Sequence, residues 1–459
     1  MQLEFLTQNI NNAAILIPAI LKEWNTYYEE KAFKEYYPQF HKVNSLIHRP
    51  KKVIVKPDPF AALDELGNRP NKTTFQDLNR ISVALQKLIV TRKTAFVTGG
   101  TVNIKAKPIT TQDEEMYNNI LATWRQNKLQ FKNSELFKRL ASETEVAEIW
   151  YSQVNDGVIK MRVNLFSPNM GYDLIPIYDE LNDLIAFGLQ YQKKEGLETT
   201  NKLDLYDSEK ITKYTQKPGN SWTVENVIKH NYGKIPVIYY NIGQSVWQDV
   251  QTMIERLETL MSNFADTNDY NGSPILFAEG EIDGWADKGE SGKVIQGHGG
   301  AKLSYISWDH APESFKLEIE KLLDFIFTIT QTPNISFSEM KGFGGDISGA
   351  AWDRIMIDAH LNAMSFHNGV YGEGIQRRIN FLKNALAAID SNLTKSIELD
   401  ITPVFSLFSI DDKESRIATA QKANGGLPVM SQKESIEYSG VSDDAEKTLS
   451  EINTQPKVI

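Results

Sequence analysis

The sequence contains no cysteine. That excludes disulfides, thiolate nucleophiles, Cys-ligated zinc and iron–sulfur clusters, and it suits an intracellular life. Histidine is scarce, with seven in 459 residues. The seven are scattered, so spacing singles out no catalytic triad, and no paired carboxylates stand out either. No apolar run reaches the roughly twenty residues that a membrane-spanning helix needs. The longest, from Ala13 to Leu21, contains Pro18 and stops at Lys22. Residues 1–12 carry Glu4 and no Lys or Arg, which is wrong for a signal peptide. Positive charge is also short: 49 Lys and Arg face 59 Asp and Glu, a net charge of −10. A protein that binds DNA by neutralising phosphates leans basic. Any contact with nucleic acid is therefore expected to be weak, local, or suited to a sliding polymer.

A chain of this length exceeds what one hydrophobic core serves, so two or more domains are expected. Leu21, Trp24 and Tyr28 fall at helical spacing, and Pro18 is expected to open that helix. The prolines at 50, 57, 59 and 70 mark residues 49–74 as a linker. Leu78, Ile81, Leu85, Leu88 and Ile89 form the buried face of the next helix, followed by a strand over 94–106. Residues 112–141 read as helical. From Glu145 the pattern turns to strands. Ile159, Met161, Val163 and Leu165 alternate with polar residues after an Asn155-Asp156-Gly157 turn. Further strands are expected within 172–179, 184–192, 202–216 and 235–240. The absence of βαβ alternation argues against a Rossmann-like sheet.

After Ile242-Gly243 the chain becomes helical, with one stripe of Val246, Val250, Ile254, Leu257, Met261 and Phe264. Its charges are Asp249, Glu255, Glu258, Asp266 and Asp269 against Arg256 alone. A Gly-rich, strand-like insert, 271–312, precedes a second helix with Phe315, Ile319, Leu322, Ile326 and Ile329 as its stripe. Then comes a glycine-rich loop, QTPNISFSEMKGFGGDISGAA, from Gln331 to Ala351. Ser348 reads as the N-cap of a long helix over 349–389. Gly369, Gly372 and Gly374 inside that helix predict a hinge, since each Gly costs about 1 kcal/mol relative to Ala. Residues 395–408 are strand-like. Short polar helices follow from Asp411, one opened by a Ser431/Glu434 capping box.

Sharper motifs fail on inspection. Gly342-Phe343-Gly344-Gly345-Asp346 lacks the Gly-Lys-Ser/Thr that grips phosphate and Mg²⁺. Asp266-Thr267-Asn268-Asp269 is not an EF-hand, because Asn271 stands where Gly is required and Phe277 where Glu is required. His360 and His367, seven apart, with Asp358, do not make a metal motif; polar positions at a subunit interface are the plainer reading. Lys51-Lys52 and Arg377-Arg378 read as solvated basic pairs.

Four stretches resemble the portal proteins of tailed bacteriophages, in the same order: NRISVALQKLIVTRKTAFVTGG (79–100), NLFSPNMGYDLIPIYDE (164–180), KIPVIYYNIGQSVWQDVQTMIERLETLMSNFADTNDY (234–270) and FGGDISGAAWDRIMI (343–357). The resemblance implies an α+β subunit: a wing over residues 1–240, a first stem helix over 241–270, an α/β clip over 271–312 and a second stem helix over 313–331. It further implies a tunnel loop over 332–347, a long kinked helix with a wing strand over 348–410 and a short helical crown over 411–459. It implies a homo-oligomeric, dodecameric ring at one capsid vertex of the virion, assembled in the host cytoplasm. Double-stranded DNA passes through such a ring during packaging and ejection. Terminase, the major capsid or scaffold protein and head–tail connector proteins are the implied partners; no membrane, metal or cofactor is implied, and no catalytic residue. The tunnel-loop residues are Met340, Lys341, Phe343, Gly344 and Gly345. Glu255, Glu258, Lys316 and Glu320 are candidates for the channel wall. The rivals are a DNA-processing enzyme of the packaging machinery and an adaptor that binds only protein.

Overall fold

The computed structural model describes residues 3–28, 39–40, 52–58, 60–63, 67–76, 78–155, 157–196, 198–271, 275–282, 297–306, 312–334, 356–407, 413–425, 428–442 and 445–454. The fold mixes helices with antiparallel sheets, and its main body is a stack of four layers.

The first layer is helical: α1 (Leu3–Asn9) and α2 (Ala13–Tyr28). Leu16, Ile17 and Ile20 lie on one face of α2 and are fully buried. They pack on a five-stranded sheet ordered β10-β9-β8-β7-β6. Its strands are β6 (Tyr172–Tyr178), β7 (Leu184–Glu195), β8 (Glu198–Tyr206), β9 (Lys210–Gln216) and β10 (Thr223–Lys229). Pro18 does not open α2; it lies inside it. The helix tolerates it because Pro18 and Ala14, whose carbonyl loses its partner, both face solvent.

The third layer is a three-stranded sheet, β11-β4-β5, made of β4 (Glu145–Asn155), β5 (Val158–Phe166) and β11 (Val237–Asn241). Period-2 alternation decides which side each residue serves. In β6, Ile175 and Ile177 meet the first helices, whereas Leu174 joins Ala147, Ile149, Val237 and Tyr239 between the sheets. In β4 and β11, Val146, Trp150, Ile238 and Tyr240 face the opposite way, into the main core.

That core is closed by the fourth layer: α3 (Leu85–Thr98), α4 (Thr111–Gln126), α5 (Leu129–Glu143), α8 (Ile357–Asn368) and α9 (Val370–Ile389). Beside it, β3 (Val102–Ala106) pairs with β14 (Ile401–Phe405). Between the sheets and this late helical pair, the chain runs out through α6 (Gln251–Asn271), the hairpin β12 (Ile275–Ile282) and β13 (Gly297–Ile306), and back through α7 (Pro312–Ile329). Three small helices end the described chain: α10 (Lys413–Asn424), α11 (Gln432–Ser439) and α12 (Ala445–Thr454). The Ser431/Glu434 capping box opens α11 as expected.

Several expectations give way. Residues 94–98 end α3 instead of starting a strand. The β-branched Thr94 and Thr98 satisfy their hydroxyls on carbonyls four residues back, Val90 and Thr94, at 2.7 Å each. The 112–141 helix is two, broken where Lys128 adopts a left-handed conformation. The 49–74 segment is no linker: β1 (Lys52–Pro57) pairs with β2 (Asn71–Gln76), and Pro57 and Pro70 sit at the strand ends, where no ladder donor is lost. The 202–216 strand is two, turned by Asp207, whose carboxylate accepts the Glu209 and Lys210 amides at 2.8 and 2.7 Å. Strand β10 had no sequence signal, because all seven of its residues are exposed and none alternates. Among the described residues of 395–408, only Ile401–Phe405 is strand; Ser391–Glu398 form a 3-10 helix.

The long helix begins at Ile357, and Ser348 lies outside the described residues. It breaks at Gly369, whose backbone leaves the helical region (φ −112°, ψ −142°). Gly372 and Gly374 belong to α9 proper, and a different need selects them. A Cβ on Gly372 would fall 1.7 Å from the His367 carbonyl oxygen, and one on Gly374 would fall 1.9 Å from the Tyr240 ring. The helical path thus breaks at Gly369, whereas Gly372 and Gly374 are positions of close approach.

Candidate functional site

The residue stripe of α6 folds it against the body: Val250, Ile254 and Leu257 are buried with Ile326 and Phe327 of α7. The two helices run antiparallel. Near the hairpin, Phe264 and Phe315 place their ring centroids 5.5 Å apart. Towards the body, Arg256 meets Glu318 at 2.7 Å. The pair thus forms a two-helix rod that brackets the β12–β13 hairpin.

The acidic charge of α6 does something the sequence did not announce. Residues 79–83 lie extended along the helix instead of forming the start of α3. Their donors are taken by α6 side chains. Asp266 accepts the Asn79 amide at 2.8 Å, and Asp269 accepts the Asn79 side-chain amide at 2.6 Å. Ser262 accepts the Ile81 amide at 3.0 Å, and Glu258 accepts the Val83 amide at 2.9 Å and the Ser82 hydroxyl. Leu78 and Ile81 therefore stand at helical spacing without being helical. The extended segment needed donors' partners, and four side chains on one face of α6 supply them.

This changes one candidate for the channel wall. Glu258 is 1% exposed; its carboxylate is a brace inside the subunit and not a surface charge. Burial raises its pKa, opposed by the bonds from Val83 and Ser82. Glu255 is half-buried and accepts from the Gln251 side-chain amide at 3.0 Å. Lys316 and Glu320 are exposed on α7. Met340, Lys341, Phe343, Gly344 and Gly345 lie outside the described residues.

Where α7 ends, its exit is fixed by contacts that sequence reading missed. Gln331 takes a left-handed conformation (φ 50°), and Thr332 N–H returns to the Phe327 carbonyl at 2.9 Å. Arg92 from α3 donates to the Pro333 carbonyl at 2.6 Å while its guanidinium lies 5.3 Å from the Phe327 ring centre. Lys93 donates to Asn362 at 2.8 Å, and Asn362 donates to Gln331 at 2.9 Å. Burial pulls the Lys93 pKa down to about 8. The base of the loop expected over 332–347 is thereby tied to α3 and α8. No local motif could have shown this, since the partners are 241 and 31 residues apart.

The histidine and basic-pair readings resolve inside the subunit. His367 is buried, stacked 4.5 Å from the Phe405 ring, with Nε2 2.7 Å from the Val97 carbonyl. His360 meets the edge of Phe96. Both pack against aromatic rings of the same chain. Among the described residues no three His, Asp or Glu side chains gather as a metal site, and no helix is long and apolar enough to cross a membrane. Arg377 is exposed and paired with Glu373, as a surface residue should be. Arg378 is not solvated. It is fully buried, ion-paired with Glu148, bonded to Asn133 at 2.8 Å and 5.1 Å from the Trp124 ring centre. Glu148 also accepts from Tyr240 at 3.0 Å and Trp150 at 3.2 Å. The Glu148–Arg378 pair joins α5, α9, β4 and β11. Helical periodicity gives the reason: Ile375, Ile379 and Leu382 put position 378, not 377, on the buried face of α9.

The described chain is a layered α+β body that projects a helix pair bracketing a hairpin. The chain belongs to the phage portal protein family, SPP1 Gp6-like; the family pattern matches residues 19–457. No curated protein sequence matches it directly. Among solved structures, it is similar to a chain from the neck of an empty GTA particle computed with C6 symmetry (10% identity, TM-score 0.40, 78% of this chain and 89% of that one). It is also similar to a chain from the neck of a native GTA particle computed with C12 symmetry (11% identity, TM-score 0.38, 78% and 89%).

Proposed function

We propose that the chain is the repeating subunit of a ring, twelve copies in a closed circle, set at a capsid vertex as the conduit for double-stranded DNA. The observation that carries this reading is the antiparallel α6–α7 rod with an apolar stripe left uncovered: Leu317, Phe325 and Ile329 on α7 are exposed. Repeated around an axis, such rods cover one another's stripes and enclose a hole. Their remaining charges, with Glu255, Lys316 and Glu320 among them, then line or flank the wall. Mixed signs and a net charge of −10 suit a wall past which phosphates slide without being held. The β12–β13 hairpin at the tip of the rod is the clip, which docks terminase during packaging and connector proteins afterwards. The loop after Pro333 touches the passing duplex through Lys341, with Phe343 beside it.

Electron micrographs of the purified full-length protein, viewed down the axis, test the reading. Closed rings with a central hole support it; a stable monomer or dimer overturns it. Deleting Lys341–Gly345 is expected to leave the rings intact and impair DNA packaging; normal packaging by that deletion sinks the role of the loop.

A further inference from the structure

The α6–α7 rod leaves the body through one short crossing. Strand β11 ends at Asn241, and the chain turns at Gly243, in a left-handed conformation (φ 76°), before the 3-10 turn Gln248–Val250 and α6. Backbone bonds to the end of α5 hold this root. Ile242 N–H donates to the Thr144 carbonyl at 3.0 Å, and Val246 N–H donates to the Ala141 carbonyl at 3.4 Å. A chain of side chains holds the turn itself. The Asn241 side-chain oxygen accepts the Gly243 amide at 2.6 Å, its Nδ2 donates to the Tyr239 hydroxyl at 2.8 Å, and that hydroxyl donates to Glu145 at 2.5 Å.

Glu145 is where this chain ends inside the protein. It opens β4 directly opposite Asn241, and it shares a face of the strand with Ala147 and Ile149, which lie between the two sheets. It is 2% exposed. The groups that face it are Tyr239 from β11 and the acid Asp173 from β6, with Tyr178 beside Tyr239. Glu143, at the end of α5, is engaged elsewhere and accepts the Asn169 amide at 2.8 Å. Among the described residues no lysine, arginine or histidine answers Glu145. A carboxyl buried without a cation is held as the neutral acid.

We infer that the Glu145–Tyr239–Asn241 chain is a latch, closed by one proton on Glu145, that fixes how the rod leaves the body. With the proton in place, the end of the layer between the sheets stays dry and the turn at Gly243 is held. When the proton leaves, a second negative charge stands beside Asp173 and must be hydrated. The carboxylate turns out to water, Tyr239 loses its acceptor, and Asn241 and the turn loosen with it. Burial holds Glu145 up to about 8 while the latch is closed, whereas a hydrated carboxyl returns to about 4.5. Rising pH therefore favours opening across that window and adds nothing above it. The latch lies within one chain and does not depend on the ring.

Hydrogen exchange of the full-length protein, read by mass spectrometry at pH 6 and pH 9 and divided by the intrinsic rate at each pH, tests the latch. Residues 241–250 are expected to exchange faster at pH 9 by roughly ten- to a hundredfold, while β8 and β9 stay unchanged. Glu145→Gln keeps the shape and the neutral state and is expected to remove that rise. Tyr239→Phe cuts the chain and is expected to give fast exchange of the root at both pH values. A root that exchanges alike at both pH values overturns the latch, as does a rise that survives Glu145→Gln. An equal rise in the root and in β8 and β9 also overturns it, because the proton then sets only global stability. The pH profile of the parent needs no substitution, so it decides even where Tyr239→Phe fails to fold.

Discussion

The layered body and the α6–α7 rod use carboxylates in opposite ways. In the body, Glu148 is buried and answered by Arg378, Tyr240 and Trp150. Every lone pair is used, and the layers on both sides are fixed to one another. In the rod, Glu258, Asp266 and Asp269 hold a single extended strip of backbone against one helix, and the far side of the rod keeps exposed apolar residues. The first arrangement makes a body that keeps its shape alone. The second holds a projecting element in place while leaving it a face for neighbours.

The largest effect that sharpens this contrast comes from the body. Arg378→Met removes one partner of a buried pair and leaves Glu148 charged without a counter-ion. The expected cost is about 3–5 kcal/mol, read as a lowered urea midpoint. Arg378→Met with Glu148→Leu is expected to recover part of it, since replacing both partners removes the stranded charge. A single variant as stable as the parent would mean that the body is not held here.

Next is a pH effect at the edge of the same sheet. Burial pushes Glu145 up from 4.5 to about 8, with Tyr239 bonded to it at 2.5 Å and opposing the shift. The folded state keeps the acid neutral while the unfolded chain ionises. Stability is therefore greatest below about pH 4.5 for this group, falls between there and about pH 8, and is level above. Glu145→Gln should flatten that slope, by on the order of a few kcal/mol across the window. Urea midpoints taken from pH 5 to pH 9 check it; a slope unchanged by the variant assigns the pH dependence elsewhere.

Gly374→Ala comes third. Its new methyl would fall inside the Tyr240 ring, 1.9 Å from the nearest atom. Overpacking of this kind costs about 1–3 kcal/mol. The expected signature is lost thermal stability with unchanged assembly, because the position packs α9 on β11 and does not hinge it. In the α6–α7 rod, Glu258→Ala strands the Val83 amide and should cost about 1–3 kcal/mol. Glu258→Gln, which keeps an acceptor, should cost less. Equal losses in the two variants would show that charge, and not the hydrogen bond to the strip, is what the rod requires.

The order of elements was legible because the buried strands and the α6–α7 pair carry strict periods: Leu174 and Ile175 point to opposite layers as alternation demands, and Ile254 and Leu257 lie on one stripe. Errors fell where side chains meet partners distant in sequence. Thr94 and Thr98 favour strands by type, yet bond backward within a helix. Residues 79–83 read as helix because their fate is decided by acids about 180 residues on. Glu258 looked like a wall charge for the same reason. The hairpin was hidden by its prolines, which stand at the ends of its strands. The contacts that fix the exit of α7 were invisible because Arg92, Gln331 and Asn362 meet only in the folded chain.

The smallest predicted effect is the most direct test of how far periodicity can be trusted. Arg377 and Arg378 are identical in type and adjacent, and sequence reading treated them as one solvated pair. On α9 they differ by one step of about 100°, which carries one side chain into the core and leaves the other on the surface with Glu373 one turn back. An exposed pair at that spacing contributes about 0.3–0.5 kcal/mol. Arg377→Ala should therefore shift the urea midpoint barely at all, and the little it does shift should vanish in high salt. A loss approaching that of Arg378→Met would mean that α9 is rotated from the orientation described. The Glu148 network and the close approach of Gly374 to Tyr240 would then fall together, because both depend on which face of this one helix meets the sheet.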